Sequence, residues 1–478
     1  MAGGTFTQMN KVRPGAYIDI VAPQKTIPSA DSARGVVLFV GGGALGWGAN
    51  GIIPLNAASN FKKLLGVDPN DVPIDTDATS TGAVVQIDAK VASMLSGLRE
   101  ALKAARSVLF YNVNSGTKAT LKEDTLPWTF AAKYEGTRGN DLKVAVTKDA
   151  IDQTKTIVTV YFGSQVVDKQ SVKSASALQN DDYIDVAVTD AAKADDGKAL
   201  LDAIVLGSTN SLTGGLTDAA QDVDTDALIE AMEVETFNTV TAAGQADDAQ
   251  IHQLIATTVE RLRDEEGQKV VGVIPDGAGV DADNEGLIVV ANGVVLANGT
   301  ALTVSQTCGW VAAAEASANV NESLTYREYP EAVDVTKRFN NEDTISALQA
   351  GKFLFMVRRN GAVVVEQDIN SLHTFGTDKN QAETKNQVMR VLDTIAINTK
   401  DTFETSFIGK VVNDAIGRDL FKGNRMEYLA TLANARAIDP ITTDDLSIEQ
   451  GPEVDQVVVK LAIKPNDSME KLYMTVTI

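Results

Sequence analysis

The chain is poor in the residues that carry most enzyme chemistry. It holds two histidines and one cysteine in 478 residues. The single cysteine, Cys308, excludes a disulfide within the chain and a thiolate zinc site in one subunit. It suits a protein made in a reducing cytoplasm. His252 and His373 each stand alone, without a metal-ligand neighbour at a suitable spacing, so both read as structural histidines. There is no Gly-x-Ser-x-Gly elbow and no Walker A loop. The expected catalytic, cofactor and metal residues are therefore none, and the chain is not expected to be an enzyme. No apolar run approaches ~18 residues, so no membrane span is expected. The opening residues lack the apolar stretch of a secretory signal.

Basic charge is also short, with 42 Lys and Arg against 64 Asp and Glu, a net charge of −22. A surface of that sign repels nucleic acid phosphates and anionic lipid heads. The imbalance is local. Residues 181–226 hold eleven Asp against two Lys, while residues 351–425 hold eleven basic against nine acidic groups. Residues 1–34 hold four basic and two acidic groups. Two readings are open: opposite biases that pair head to tail between copies, or a solvated acidic segment beside a neutral one.

Two motifs imitate ligand sites. Gly41-Gly42-Gly43-Ala44-Leu45-Gly46 fits G-x-G-x-x-G and follows the apolar run Val36–Val40. A dinucleotide site needs a helix opening at that loop, because its N-terminal N–H groups hold the pyrophosphate. Here Gly48, Gly51 and Pro54 follow, which forbid that helix, and the loop reads as a flexible connection. Asp281-Ala282-Asp283-Asn284-Glu285-Gly286 resembles the start of a calcium loop. Its twelfth position is Asn292, where a bidentate Glu is required, so it reads as a solvated turn.

What is present is a 44% hydrophobic chain long enough for about three domains. Residues 1–34 read as an arm and linker, with a strand over 16–21 and a connector over 22–35 carrying Pro23 and Pro28. Residues 35–115 read as the first part of an α/β core, with a strand at 36–40, a helix stripe at Val91, Met94, Leu95, Leu98 and Leu102, and a strand at 107–113. Residues 116–215 read as an inserted, mostly β domain, with alternation such as Thr156 to Tyr161. Residues 216–343 return to α/β, with a helix through Ile251, Leu254, Ile255, Val259 and Leu262 and a strand at 269–274. Residues 344–478 read as a C-terminal α+β domain. It has a hairpin around Asn360-Gly361, helices through Val388–Ile395 and 419–435, and two alternating strands. The fold class is thus multidomain α/β and α+β.

Those last strands carry the functional reading. Val457, Val459, Leu461 and Ile463 alternate, Pro465 turns the chain, and Leu472, Met474, Val476 and Ile478 alternate again. A strand edge exposes unpaired N–H and C=O groups that ask for a partner. The partner is either the 457–463 strand of the same subunit, as a hairpin, or the sheet of a neighbouring copy. The same choice arises for the arm through Val12, Tyr17, Ile18, Ile20 and Val21, where a proline-bearing connector lets the strand reach away from its own core.

In this order the residues resemble the contractile tail sheath family, including phage-like element and R-type bacteriocin sheaths. Val12-Arg13-Pro14-Gly15-Ala16-Tyr17 is similar to the family's opening. Tyr134-Glu135-Gly136-Thr137-Arg138-Gly139-Asn140 resembles its Tyr-x-Gly-x-x-Gly-Asn signature at the inserted domain. Val364 to Leu372, Phe407 to Asn413 and Met469 to Ile478 resemble later family segments. The resemblance implies a structural subunit that polymerises in six-fold rings around an inner tail tube and contracts to drive it through a cell envelope. Baseplate and tail terminator proteins are the implied further partners, with no nucleic acid and no membrane insertion by this chain. It would assemble in a bacterial host cytoplasm and work in a virion or injection-particle tail. It also implies that the arm and the 472–478 strand join adjacent subunits, with 457–463 as acceptor and Pro23, Pro28 and Pro465 at the hinges. The rival readings are a dinucleotide enzyme using 41–46 and a non-contractile capsid or surface-lattice protein.

Overall fold

The computed structural model of the protein describes residues 34–42, 44–71, 88–204, 208–218, 223–376 and 379–477, with the backbone of Gly3–Gly4 and Ala16–Tyr17. The chain divides into two units, Met1–Ala33 and Arg34–Ile478. In the first, Gly3–Gly4 and Ala16–Tyr17 pair in parallel. The strand expected over 16–21 is thus described only at its start, where its partner lies within the arm. Val12, Ile18, Ile20, Val21, Pro23 and Pro28 lie outside the described residues.

The second unit is built on seven strands: β1 Val36–Val40, β2 Gly51–Leu55, β3 Ser107–Asn112, β4 Thr239–Thr241, β5 Val271–Pro275, β6 Leu287–Val290 and β7 Lys352–Phe353. Their order is β7-β6-β5-β4-β1-β3-β2, parallel throughout except for β2, an antiparallel edge on β3. Helices α1 (Ala89–Leu102), α2 (Gln250–Asp264) and α3 (Val304–Ser317) cover it. The run Val-Val-Leu-Phe-Val is apolar at every position because β1 is dry on both faces. Val37 and Phe39 enter the core shared with α1 and α3, whereas Leu38 and Val40 enter the core under α2.

Helix α3 has no polar stripe, so periodicity does not announce it; Ser305 through Ala316 are all buried. Its start is written more clearly, since Thr303 and Gln306 form a reciprocal capping box. It crosses α1 at two glycines, where a Cβ on Gly309 would stand 2.2 Å from the Gly97 carbonyl oxygen.

Between β3 and β4 the chain makes two larger antiparallel sheets and a short antiparallel pair of Gly116–Thr117 with Leu216–Thr217. One runs in the order Gln165–Val172, Thr156–Phe162, Leu142–Lys148, Ser208–Ser211; the other Ile184–Val188, Trp128–Ala132, Thr120–Lys122. Alternation does its usual work here, with Val144, Val146, Val158 and Val160 turned onto Trp128 and Phe130.

The C-terminal residues form helices α4 (Asn386–Ser406) and α5 (Ala415–Asn434) and the antiparallel pair β8 (Leu446–Gln450) and β9 (Val457–Leu461). Val391 and Ile395 of α4, Leu429 and Leu432 of α5, and Leu446 of β8 share one core. The residues before α4 behave differently from expectation. β7 extends the central sheet, and the hairpin Phe355–Val357 with Val363–Val365 packs on Trp310 and Tyr329. The stretch read as the head of the C-terminal domain therefore sits on the central core. Alternation reports a strand and its dry face but not the sheet it joins.

Candidate functional site

The two imitation motifs turn out to be joints. After β1 the chain enters no helix but crosses to β2. The Gly41 N–H donates to the Tyr111 carbonyl at 2.9 Å, and Arg138 Nε donates to the Leu45 carbonyl at 2.8 Å. Trp47 is fully buried in the core of the inserted sheets, 5.2 Å from both the Tyr134 and Phe162 rings, and its Nε1 donates to Lys63 O at 2.9 Å. So the reading of a flexible loop is corrected in its described residues: they are packed, because Trp47 plugs a second core. The Tyr134–Asn140 signature serves the same joint. Gly136, at φ +115°, lies where a Cβ would stand 2.3 Å from Gly46 O. Asn140 exchanges two hydrogen bonds with Gly215, at 2.8 and 2.9 Å, stitching the inserted segment's two ends together.

The 281–286 turn is likewise not simply solvated. Asn284 is buried, and Asp283 Oδ1 accepts the N–H groups of His373 and Thr374 at 2.7 and 3.0 Å. Asn292 is buried and donates to the carbonyls of Lys337 and Phe355. His252 is fully buried, and burial pulls its pKa down to about 4. Cys308 is buried in α3, and burial raises its thiol well above the ordinary range. Among the described residues no group of three or more His, Cys, Asp and Glu could hold a metal, and no helix is long and apolar enough to cross a membrane.

Helix α4 is fastened to the central core by buried charge. Arg390 Nε donates to Glu315 Oε1 at 3.0 Å, and its Nη2 stands 3.6 Å from Asp368 Oδ2. Asp368 also accepts from the Leu324 N–H at 2.9 Å and Asn386 Nδ2 at 2.8 Å. One turn along, Asp393 takes a bidentate pair from Arg263 of α2, at 2.9 and 3.0 Å. Arg390, Glu315, Asp368 and Arg263 are all under 5% exposed, so their charges are answered by protein groups rather than by water.

Two carboxylates on one guanidinium leave an excess negative charge. Burial, then the neighbouring Glu315, raises Asp368 to about 6, against the pull of Arg390. The folded chain thus binds this proton more tightly than the unfolded one. The stabilisation is complete below the ordinary carboxylate range and lost as pH rises through about 6. Asp368→Asn removes that response. Urea unfolding at pH 5 and pH 7.5 is expected to show the parent gaining about 1 kcal/mol relative to the variant at the lower pH. A difference independent of pH would remove Asp368 as the titrating group.

Beyond α5 the chain has uncovered edges. β9 pairs with β8 and not with 472–478, so the same-subunit hairpin is not formed. β8 was not read from the sequence, because Leu446-Ser-Ile-Glu-Gln offers only two apolar residues after an acidic turn. The sheet has two strands, and Val458 and Val459 are each 39% exposed. Of the acceptor residues, Val457, Val459 and Leu461 lie in β9, and Ile463 lies just beyond it. Leu472, Met474 and Val476 are 87%, 75% and 72% exposed, in chain that is neither helix nor strand among the described residues; Ile478 lies outside them.

Pro465 is bracketed rather than free. The Asp439 N–H donates to Lys464 O and the Asn466 N–H to Ala437 O, both at 2.9 Å. Among the described residues the last side chain held by the subunit is that of Glu470. It accepts from Thr325 Oγ1 at 2.8 Å, Gln367 Nε2 at 2.7 Å and Lys385 Nζ. Beside the β8–β9 turn an open apolar groove of about 700 Å³ is lined by Phe403, Phe407, Val412, Phe421 and Val454.

Comparison with known proteins covers the whole chain. Residues 114–218 match the family model described as phage tail sheath protein beta-sandwich domain, 218–371 the central domain of that protein, and 378–478 its C-terminal domain. The phage-like element PBSX protein XkdK of Bacillus subtilis (strain 168) is 32% identical, with 100% of each chain covered. The crystal structure of a sheath tail protein from Desulfitobacterium hafniense is similar at a TM-score of 0.72 and 33% identity, covering 97% of this chain and 100% of that one. A sheath tail protein from Listeria innocua gives a TM-score of 0.73 and 31% identity, covering 93% and 94%.

Proposed function

This chain belongs to the phage tail sheath family, and from that premise we propose that it is a contractile subunit joined to its neighbours by exchanged strands. Copies polymerise as a helical array of six-fold rings around an inner tail tube. The baseplate sits at one end and a terminator protein at the other. The observation that carries the reading is the C-terminal segment. It has the alternation of a half-buried strand, yet its described residues are unpaired and uncovered in a subunit whose neighbouring sheet has two strands. A neighbour's β9 edge supplies what such a segment lacks: main-chain partners for affinity and alternate pockets for register.

The arm, through Val12, Tyr17, Ile18, Ile20 and Val21, adds to a second neighbour. The domains divide as an arm over 1–34, a core split into 35–115 and 216–343, an outward-facing insertion over 116–215, and a tube-facing region from 344 onward whose first strands rest on the core. Contraction takes the array from an extended, metastable arrangement to a wider and shorter one of lower free energy. The buried pairs on α4 support movement of each core as one body. The flexing points are the linker with Pro23 and Pro28 and, at the other end, the chain after Glu470 rather than at Pro465. Assembly takes place in the bacterial cytoplasm, and the work is done in the particle's tail.

Negative-stain microscopy of the purified chain tests the reading. Hollow tubes with six-fold end views are expected; closed shells or flat lattices overturn it. The packing of residues 41–42 and 44–46 disfavours the dinucleotide enzyme, and a nucleotide titration is expected to give no binding.

A further inference from the structure

We infer that Glu470 grips the root of the C-terminal segment and passes tension on that segment into the buried charge network under α4. The inference rests on the strand-exchange reading and concerns where an exchanged strand is anchored in the subunit that donates it.

The orientation of Glu470 is at odds with its neighbours. Met469 and Leu472 to Met474 are exposed, whereas the Glu470 side chain is 12% exposed. Burial alone would raise its pKa, but the hydrogen bonds from Lys385, Gln367 and Thr325 hold it below the ordinary range. Its three donors come from separate stretches that converge on Asp368. Thr325 Oγ1 accepts the Asp368 N–H at 2.9 Å. Gln367 precedes Asp368 in the chain. Lys385 precedes Asn386, whose amide donates to Asp368 at 2.8 Å. From Glu470 the shortest paths are one hydrogen bond to Gln367 or Thr325, then one residue or one further hydrogen bond to Asp368, and from there to Arg390 and Glu315.

The alternative anchor is weaker. Without Glu470, the next holds back along the chain are a long ion pair of Asp467 with the same Lys385, at 3.9 Å, and then Asn466, whose N–H meets Ala437 O and whose Nδ2 meets Arg436 O at 3.1 Å. Peeling residues 467–470 would lengthen the tether by about 13 Å at ~3.3 Å per residue. A longer tether lowers the effective concentration of the strand at its acceptor and loosens the spacing between subunits. Charge-assisted hydrogen bonds at the root, roughly twice as strong as neutral ones, hold the tether short.

Trypsin reads this grip directly, because Lys471 follows it. Cutting after Lys471 needs the residues before it to leave the surface, and it releases 472–478 as a peptide countable by mass spectrometry. In Glu470→Ala and Lys385→Met subunits, release is expected to be about ten-fold faster than in the parent, with cutting at the other Lys and Arg positions the variants share with the parent unchanged. Sheaths assembled from either variant are expected to be shorter. Unchanged release in both variants overturns the inference, and so does faster release with sheaths of parental length. A chain lacking 471–478 separates this from the reading beneath it. If that chain forms parental sheaths, strand exchange by this segment is wrong; if it forms none while both point variants behave as the parent, only the grip is wrong.

Discussion

Replacing Arg390 with methionine is expected to lower the unfolding free energy of the subunit by about 3–5 kcal/mol, the range for breaking a buried ion pair on one side. The loss comes mainly from what stays behind. Glu315 and Asp368 remain under 5% exposed, with no guanidinium between them, the Glu322 carbonyl loses its Arg390 donor, and the Asn319 carbonyl keeps only the Glu322 N–H. The same change with Glu315→Gln is expected to recover most of the loss, since one of the two stranded charges is then neutral. Urea midpoints of the parent, both single variants and the double variant check this. Equal and additive losses would mean that Arg390 acts through packing alone. The position of the damage matters as much as its size. Arg390 lies on α4, so the variant is expected to free the C-terminal helices first, seen as faster hydrogen exchange in α4 and α5 than in β1 or α3.

The second large effect concerns assembly. A chain lacking residues 1–21 is expected to fold as the parent does and to fail to form long sheaths. The described contacts of the second unit begin with those of Arg34 with the carbonyls of Glu315 and Ala318, at 3.2 Å, and of the Gly35 N–H with Asn238 Oδ1, at 2.9 Å, all within that unit. Circular dichroism and thermal unfolding should therefore match the parent. Six lost backbone hydrogen bonds at a net ~0.5–1.5 kcal/mol each weaken each subunit contact by about a hundred-fold or more. Sedimentation and microscopy check the result. Normal tubes from the shortened chain would remove the arm from the assembly mechanism.

Much of the unit Arg34–Ile478 was legible residue by residue. The expected strand at 36–40 is found as β1 at Val36–Val40, and the stripes at Val91–Leu102 and Ile251–Leu262 lie in α1 and α2. The helix expected from 419 begins at Ala415, where Asp414 caps the Gly417 N–H. These elements announce themselves because a dry face repeats every two or 3.6 residues. Helix α3 does not, because burial on all sides erases the repeat. Trp47 reads as part of a glycine-rich loop because its partners, Tyr134 and Phe162, are more than eighty residues away.

The sequence by itself determined the mixed α/β class, the sparseness of catalytic side chains, the acidic surface and the alternating apolar segment near Ile478. Only the tertiary structure decided that β7 joins the central sheet, and that Arg390 and Glu315, 75 residues apart, and Arg263 and Asp393, 130 apart, meet in the interior. It also decided that Glu470 turns inward while the described residues after it remain uncovered. The physical reason is that local pattern records which face of a segment avoids water. What covers that face, and which charge answers a buried charge, depends on chain brought from far away, and a lone Glu or Arg looks the same in sequence whether its partner is water or the protein core.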